Sequence, residues 1–229
     1  MSFQIGGLQK VSLIDYPGKV AAVVFAQGCN FRCPFCHNRE LVLPAYYQPP
    51  LPEPQVLTYL AERRDKLQGV VVTGGEPTLQ KDLVGFLRKI KRLKYSIKLD
   101  TNGSQPRVLR PLIRAKLVDF IAMDLKGPWE RYEEFTGCPV NIRDIQTSVR
   151  IILKSGVGHI FRTTAVKPLL SPDDIRRTAG ICRPGGRYVV QEFIPRDTVL
   201  NFTLLDRGHY TKDEIGSLQK DCQRQEVAV

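Results

Sequence analysis

The 229-residue chain is short of the features that would tie it to a membrane, send it out of the cell or divide it into pieces. No run of about 18 apolar residues occurs, so no helix is expected to span a bilayer. The opening MSFQIGGLQK lacks the basic and apolar regions of a signal peptide, which places the chain in the cytoplasm as an expectation. In that compartment cysteines serve as metal ligands or free thiols rather than as disulfides. Histidine is scarce, three in all, and His159 and His209 stand alone with no partner at ligand spacing, so both are expected to be structural. No linker or shift of composition marks a second domain, and one core suffices for this length. Acidic residues are outnumbered, 23 against 34 Lys and Arg, for a net charge of +11. A surplus of that size raises nucleic acid as a partner. The basic residues nevertheless come in short groups on amphipathic helical stretches, such as Lys89, Lys91, Arg92 and Lys94, where a solvated face is the expected role. Nucleic acid is therefore not expected, while an acidic protein or a phosphate-bearing substrate fits the charge.

What the chain does hold is a concentration of thiols. Of six cysteines, Cys138, Cys182 and Cys222 are scattered, but Cys29, Cys33 and Cys36 fall in residues 28–38, GCNFRCPFCHN. The apolar run before them, residues 20–26, reads as a buried strand that delivers them to its C-terminal end. Iron-sulfur clusters are held by thiolates at four iron corners. Three cysteines at C-x3-C-x2-C spacing leave one iron open to a substrate. Zinc is the competitor, with His37 as a fourth ligand, although zinc sites of this kind usually space their ligands as two separated pairs.

The rest of the chain alternates. Residues 1–18 read as a lead-in that ends in a turn at Tyr16, Pro17 and Gly18. Five prolines between residues 39 and 54 predict an extended crossing. Helical spacing follows over 54–67, 83–90, 108–116, 142–154 and 173–182, and apolar strand runs over 70–73, 95–99, 120–123, 160–166 and 188–193. Six strands separated by helices predict an α/β fold of parallel βαβ units, a single-domain, incomplete (β/α)6 barrel over residues 19–195. Residues 196–229 form a C-terminal extension, read either as a flap over the barrel mouth or as a tail for docking a partner. The chemistry-bearing motifs sit at the C-terminal ends of the predicted strands, where sites of such folds lie.

These motifs carry a resemblance. The cysteine loop with Phe35 before its last thiol, VVVTGGEPT at 70–78, LDTNG at 99–103, AMDLK at 122–126, FRTT at 161–164 and the opening GLQKVSLIDYPGKVA resemble the radical S-adenosylmethionine (SAM) enzymes. Within them the chain resembles the glycyl-radical-enzyme activases, in particular those of anaerobic ribonucleoside-triphosphate reductase, with pyruvate formate-lyase activase as a relative. The cysteine-rich insertion of some larger activases is missing.

The resemblance implies that Cys29, Cys33 and Cys36 ligate a 4Fe-4S cluster whose open iron takes SAM. It implies that Gly74, Gly75 and Glu76 hold the methionyl amino group, and that Lys126 meets the carboxylate. Asp100 and Asp124 are implied beside a monovalent cation, and Arg162, Phe35 and Asn38 beside SAM. Gln191 and Glu192, near the end of the sixth predicted strand, are expected to border the adenine or substrate end. Read as residues alone, the glycines also suit a strand-to-helix turn, the aspartates a helix cap, Lys126 a solvated surface and Arg162 an ion pair. The implied activity is reductive cleavage of SAM and transfer of the radical to a glycine of the partner enzyme, with flavodoxin or ferredoxin as electron donor and an anaerobic setting. A radical SAM enzyme acting on a small molecule or RNA is the alternative.

Overall fold

A computed structural model describes residues 3–224; the outermost residues of the lead-in and of the extension, 1–2 and 225–229, lie outside the described residues. Seven strands form one sheet in sequence order: β1 (Ile5–Ser12), β2 (Ala21–Ala26), β3 (Gly69–Gly74), β4 (Ser96–Thr101), β5 (Phe120–Asp124), β6 (Gly158–Ala165) and β7 (Tyr188–Glu192). From β2 to β7 every pairing is parallel, and β1 adds to β2 antiparallel. Six parallel strands match the expected partial barrel. The lead-in differs from expectation: residues 5–12 are a strand, because the tight turn before residue 19 lets the chain fold back onto β2. That turn closes with the Lys19 amide donating to the Tyr16 carbonyl at 3.1 Å.

The α-helices among the described residues are α1 (Arg39–Val42), α2 (Glu53–Glu62), α3 (Leu83–Arg92), α4 (Pro106–Arg114), α5 (Tyr132–Thr136), α6 (Ile142–Leu153), α7 (Pro172–Gly180) and α8 (Lys212–Arg224). The crossing after the cysteine loop holds the short α1, where an extended run is predicted, since its prolines begin only at residue 44. Likewise the loop before residue 138 contains α5.

Alternation along the strands separates two layers. Val70, Val72, Ile97, Leu99, Ile121, Met123 and Phe161 belong to the main core, with Phe86, Leu87, Leu109, Leu112, Ile145, Ile152 and Ile175 of the helices. The opposite face lines the barrel. Its lower end is a small cluster of Tyr16, Ala21, Val23 and Val71 with Phe25 and Phe120 packed against it, so the SLIDYPG turn supplies the plug. Gly69 is required there, because a Cβ on it would come within 2.8 Å of the Tyr16 ring. Lys98 lies level with Val71 and Phe120, and above it this face turns polar, with Asp100, Asp124 and Arg162.

Residues 196–224 are built into this body. Val199, Leu204, Leu218 and Cys222 are buried in the main core. Gln219 of α8 caps the outer edge of β7, its amide oxygen accepting from the Val190 amide at 2.8 Å and its nitrogen donating to the Tyr188 carbonyl at 3.0 Å. An edge strand is thereby partly covered.

Candidate active site

The cysteine loop leaves β2 at its C-terminal end and is braced from three sides. From below, the Asn102 side chain donates to Asn30 Oδ1 at 3.0 Å, and Asn30 in turn donates to Ser104 Oγ at 3.0 Å. From α5, the Thr136 carbonyl accepts from the Arg32 amide at 2.7 Å. From the extension, the amides of Leu200 and Asn201 donate to the carbonyls of Cys36 and Pro34 at 3.1 and 2.9 Å. The segment between β7 and α8 is thus a strap across the cysteine loop. His37 belongs to the same contact: its Nε2 lies 2.7 Å from the Ile194 carbonyl and its ring packs on Phe193. The imidazole considered as a zinc ligand is therefore engaged by the strap.

Cys33 is buried and Cys29 and Cys36 are half-buried, all three as free thiols. They line one cavity of about 280 Å³ together with Phe35, Asn38, Gly74, Gly75, Asp100, Asp124 and Lys126. Burial pushes the Cys29 thiol up to about 11 and the Cys33 thiol up to about 12, and Cys36 is raised for the same reason. Thiolates there need a cation to compensate them. A donor set of three such thiols on one rigid loop, open to a cavity, fits an iron-sulfur cluster.

The glycines of TGGEP are set by the chain itself. Gly75 donates its amide to the Ala26 carbonyl at 2.8 Å, and a Cβ on it would stand 2.1 Å from the Gly28 carbonyl oxygen. Gly74 adopts φ +107°, a left-handed conformation natural to glycine. Both glycines reach the cavity as backbone. Glu76 does not: its side chain is fully buried and outside the cavity lining. Its Oε1 accepts from the Thr78 amide at 3.0 Å, Thr78 Oγ1 at 2.5 Å and Thr101 Oγ1 at 2.8 Å, and its Oε2 from the Asn102 amide at 2.6 Å. The carboxylate ties TGGEP to DTNG. Burial pushes it above its usual range while the four donors pull against that.

Asp100 and Asp124, implied beside a monovalent cation, have side-chain cations as partners. Arg162 bridges them, with Nη1 3.3 Å from Asp100 Oδ2 and Nη2 2.8 Å from Asp124 Oδ1. Lys126 Nζ lies 3.2 Å from Asp124 Oδ2, and its ammonium stands 6.0 Å over the Phe35 ring. Burial works against the Asp124 charge, but Arg162 and then Lys126 outweigh it and hold the carboxyl down at about 2. Lys126 and Arg162 are raised in return, chiefly by Asp124 against their own burial. Gln191 and Glu192 lie at the end of β7, outside the cavity lining.

Sequence reasoning missed Asn102, Thr101, Thr78 and Lys98. Lys98 had a signal: a lysine between Ile97 and Leu99, two positions before Asp100, must share the lumen face with it.

Comparison with known proteins gives the family. Residues 23–182 match the Radical SAM superfamily. The chain belongs to that family. A Methanocaldococcus jannaschii protein provisionally named a glycyl-radical enzyme activating enzyme is 34% identical, over 86% of this chain and 82% of its own length. The pyruvate formate-lyase-activating enzyme of Clostridium pasteurianum is 27% identical over 95% of both chains. These relatives place the chain among the activating enzymes of glycyl-radical enzymes. Among solved structures, SuiB of Streptococcus suis bound to its precursor peptide SuiA has the same fold, with a TM-score of 0.69 at 16% identity; 90% of this chain is matched, covering 45% of that one. This radical SAM enzyme accordingly uses a 4Fe-4S cluster and SAM. No helix among the described residues is long and apolar enough to cross a membrane.

Proposed function

We propose that this radical SAM enzyme generates a glycyl radical on anaerobic ribonucleoside-triphosphate reductase, in the cytoplasm and with flavodoxin or ferredoxin as electron source. The observation that carries the chemistry is the single cavity shared by the three thiols and by the wall of Asp100, Asp124 and Lys126. The SLIDYPGK, CHN and MDLK motifs favour an activase over an enzyme acting on a small molecule or RNA, and the choice of the reductase as partner rests on the opening motif.

When bound, the cluster supplies an electron and SAM supplies the deoxyadenosyl group for removal of a hydrogen atom from a glycine Cα. The protein contributes position. Cys29, Cys33 and Cys36 hold the cluster, and the strap and Asn102 keep their loop in place. The Gly74–Gly75 backbone receives the amino group of SAM, and Lys126, which lines the cavity, receives its carboxylate, with Arg162 behind it on Asp100 and Asp124. Asp124 keeps Lys126 and Arg162 charged and aimed, and Phe35 and Asn38 close the cluster side. The apolar plug of Tyr16 and Phe120 shuts the lower end of the lumen to water, which favours ordered reactants over side reactions.

The test uses anaerobically reconstituted protein reduced with dithionite. With SAM it is expected to form 5′-deoxyadenosine, and with the reductase a glycyl radical signal in electron paramagnetic resonance. A radical on pyruvate formate-lyase and none on the reductase would reassign the partner. Deoxyadenosine with no radical on either protein would favour a small-molecule substrate.

A further inference from the structure

One buried charge on the lumen face stands apart from the cavity lining. Lys98 is 2% exposed, level in register with Val71 and Phe120, and Asp100, Asp124 and Lys126 line the cavity where it does not. Taking an ammonium group out of water costs several kcal/mol unless it is paired. Its Nζ lies 2.5 Å from Asp100 Oδ1. The other oxygen of Asp100 faces Arg162, Arg162 faces Asp124, and Asp124 faces Lys126. Five side chains therefore alternate in sign from the apolar plug up to the cavity: Lys98, Asp100, Arg162, Asp124 and Lys126. Three cations against two carboxylates leave one net positive charge. Without Lys98 the same wall is neutral. An apolar residue would fit the neighbours in register, so packing does not ask for a lysine at this position.

We propose that Lys98 is a positioning residue that sets the charge of the cavity wall. By neutralising Asp100 from below, it leaves one unit of positive charge on the Arg162–Asp124–Lys126 chain, which Lys126 presents to an anion in the cavity. The ligand group recognised is the carboxylate of an amino acid, which in SAM is the methionyl carboxylate; the inference rests on the reading of this cavity as the SAM site. Lys98 acts through Asp100 and Arg162, without touching the ligand.

The experiment is calorimetric binding to the anaerobically reconstituted protein. The probes are S-adenosylhomocysteine, which carries the amino-acid group, and 5′-methylthioadenosine, which lacks it. Lys98→Met brings the wall to zero charge, and Lys98→Met combined with Asp100→Asn restores one positive charge. Lys98→Met is expected to weaken S-adenosylhomocysteine on the order of tenfold, as one charge acting across the site through a partly screened interior would. Methylthioadenosine should stay within about twofold, because it has no carboxylate for the wall charge to act on. The double variant should regain most of the lost affinity although it departs further from the native side chains. If Lys98→Met does not fold, Lys98→Gln gives the same comparison, since it keeps a donor for Asp100 and removes only the charge. Equal S-adenosylhomocysteine affinity in variant and wild type would overturn the role of Lys98 and leave the SAM site standing. Parallel loss of both probes, or no recovery in the double variant, would also overturn it and make Lys98 structural. Wild-type protein that binds methylthioadenosine and S-adenosylhomocysteine equally well would overturn the reading of the cavity itself.

Discussion

Replacing Glu76 with glutamine is the most demanding test of how this site is held together. The change keeps the shape of the side chain and removes one charge from a position with no exposure at all. Both carboxylate oxygens face a backbone donor, Oε1 the Thr78 amide at 3.0 Å and Oε2 the Asn102 amide at 2.6 Å. A glutamine therefore has no acceptable flip: whichever oxygen becomes NH2 meets an N–H that cannot turn round. Losing a hydrogen bond to a charged acceptor costs about 1.5–3 kcal/mol and leaves a buried donor unpaired. Relief of the buried charge offsets about 1 kcal/mol of the combined loss. The net is about 2 kcal/mol, or a melting temperature lower by roughly 4–8 °C for a chain of this size. The assay is urea unfolding of the metal-free protein, followed by far-UV circular dichroism under reductant. Because Asn102 also donates to Asn30 of the cysteine loop, iron retention after gel filtration should fall in parallel. Stability of the glutamine variant within about 0.5 kcal/mol of wild type would refute the argument, since typical neutral surface changes stay inside that range.

Three further outcomes are expected. Cys33→Ala should abolish the brown chromophore and deoxyadenosine formation together, while normal turnover would remove Cys33 from the ligand set. Gly75→Ala places a Cβ 2.1 Å from the Gly28 carbonyl oxygen, so the cysteine loop must shift; iron incorporation should drop severalfold, and full incorporation would show that the loop yields freely. In metal-free protein, with Cys29 at about 11 and Cys33 at about 12, alkylation by iodoacetamide at pH 8 should be on the order of a hundredfold slower than for an ordinary cysteine and should keep rising beyond pH 10. The folded state holds these protons more tightly than the unfolded chain does, so stability is complete below the ordinary thiol range near pH 9 and declines as pH rises towards 11–12. An alkylation rate that levels off by pH 9 would contradict the burial of these thiols.

The sequence by itself determined the parallel strands, the helices between them and the gathering of Cys29, Phe35, Gly74, Asp100, Asp124 and Lys126 on one side. The reason is geometric: in parallel βαβ units every strand points the same way, so motifs placed just after strands converge without any knowledge of tertiary contacts. Apolar runs such as VVV at 70–72 also announced their burial on both faces. Tertiary structure alone decided what depends on pairing between distant segments. The lead-in became β1 because β2 offered an unpaired edge, and the amides of Leu200 and Asn201, which have no signature in sequence, found the carbonyls of the cysteine loop. The same holds for charges. Sequence pattern shows that Asp100, Asp124 and Arg162 stand at strand ends, but only the register Asp124↔Arg162 and the reach of Lys98 make them a continuous chain of ion pairs. Glu76 shows the limit most clearly: its neighbours in sequence are two cavity-lining glycines, yet a complete set of donors from Thr78, Thr101 and Asn102 draws its carboxylate into the protein instead of towards a ligand.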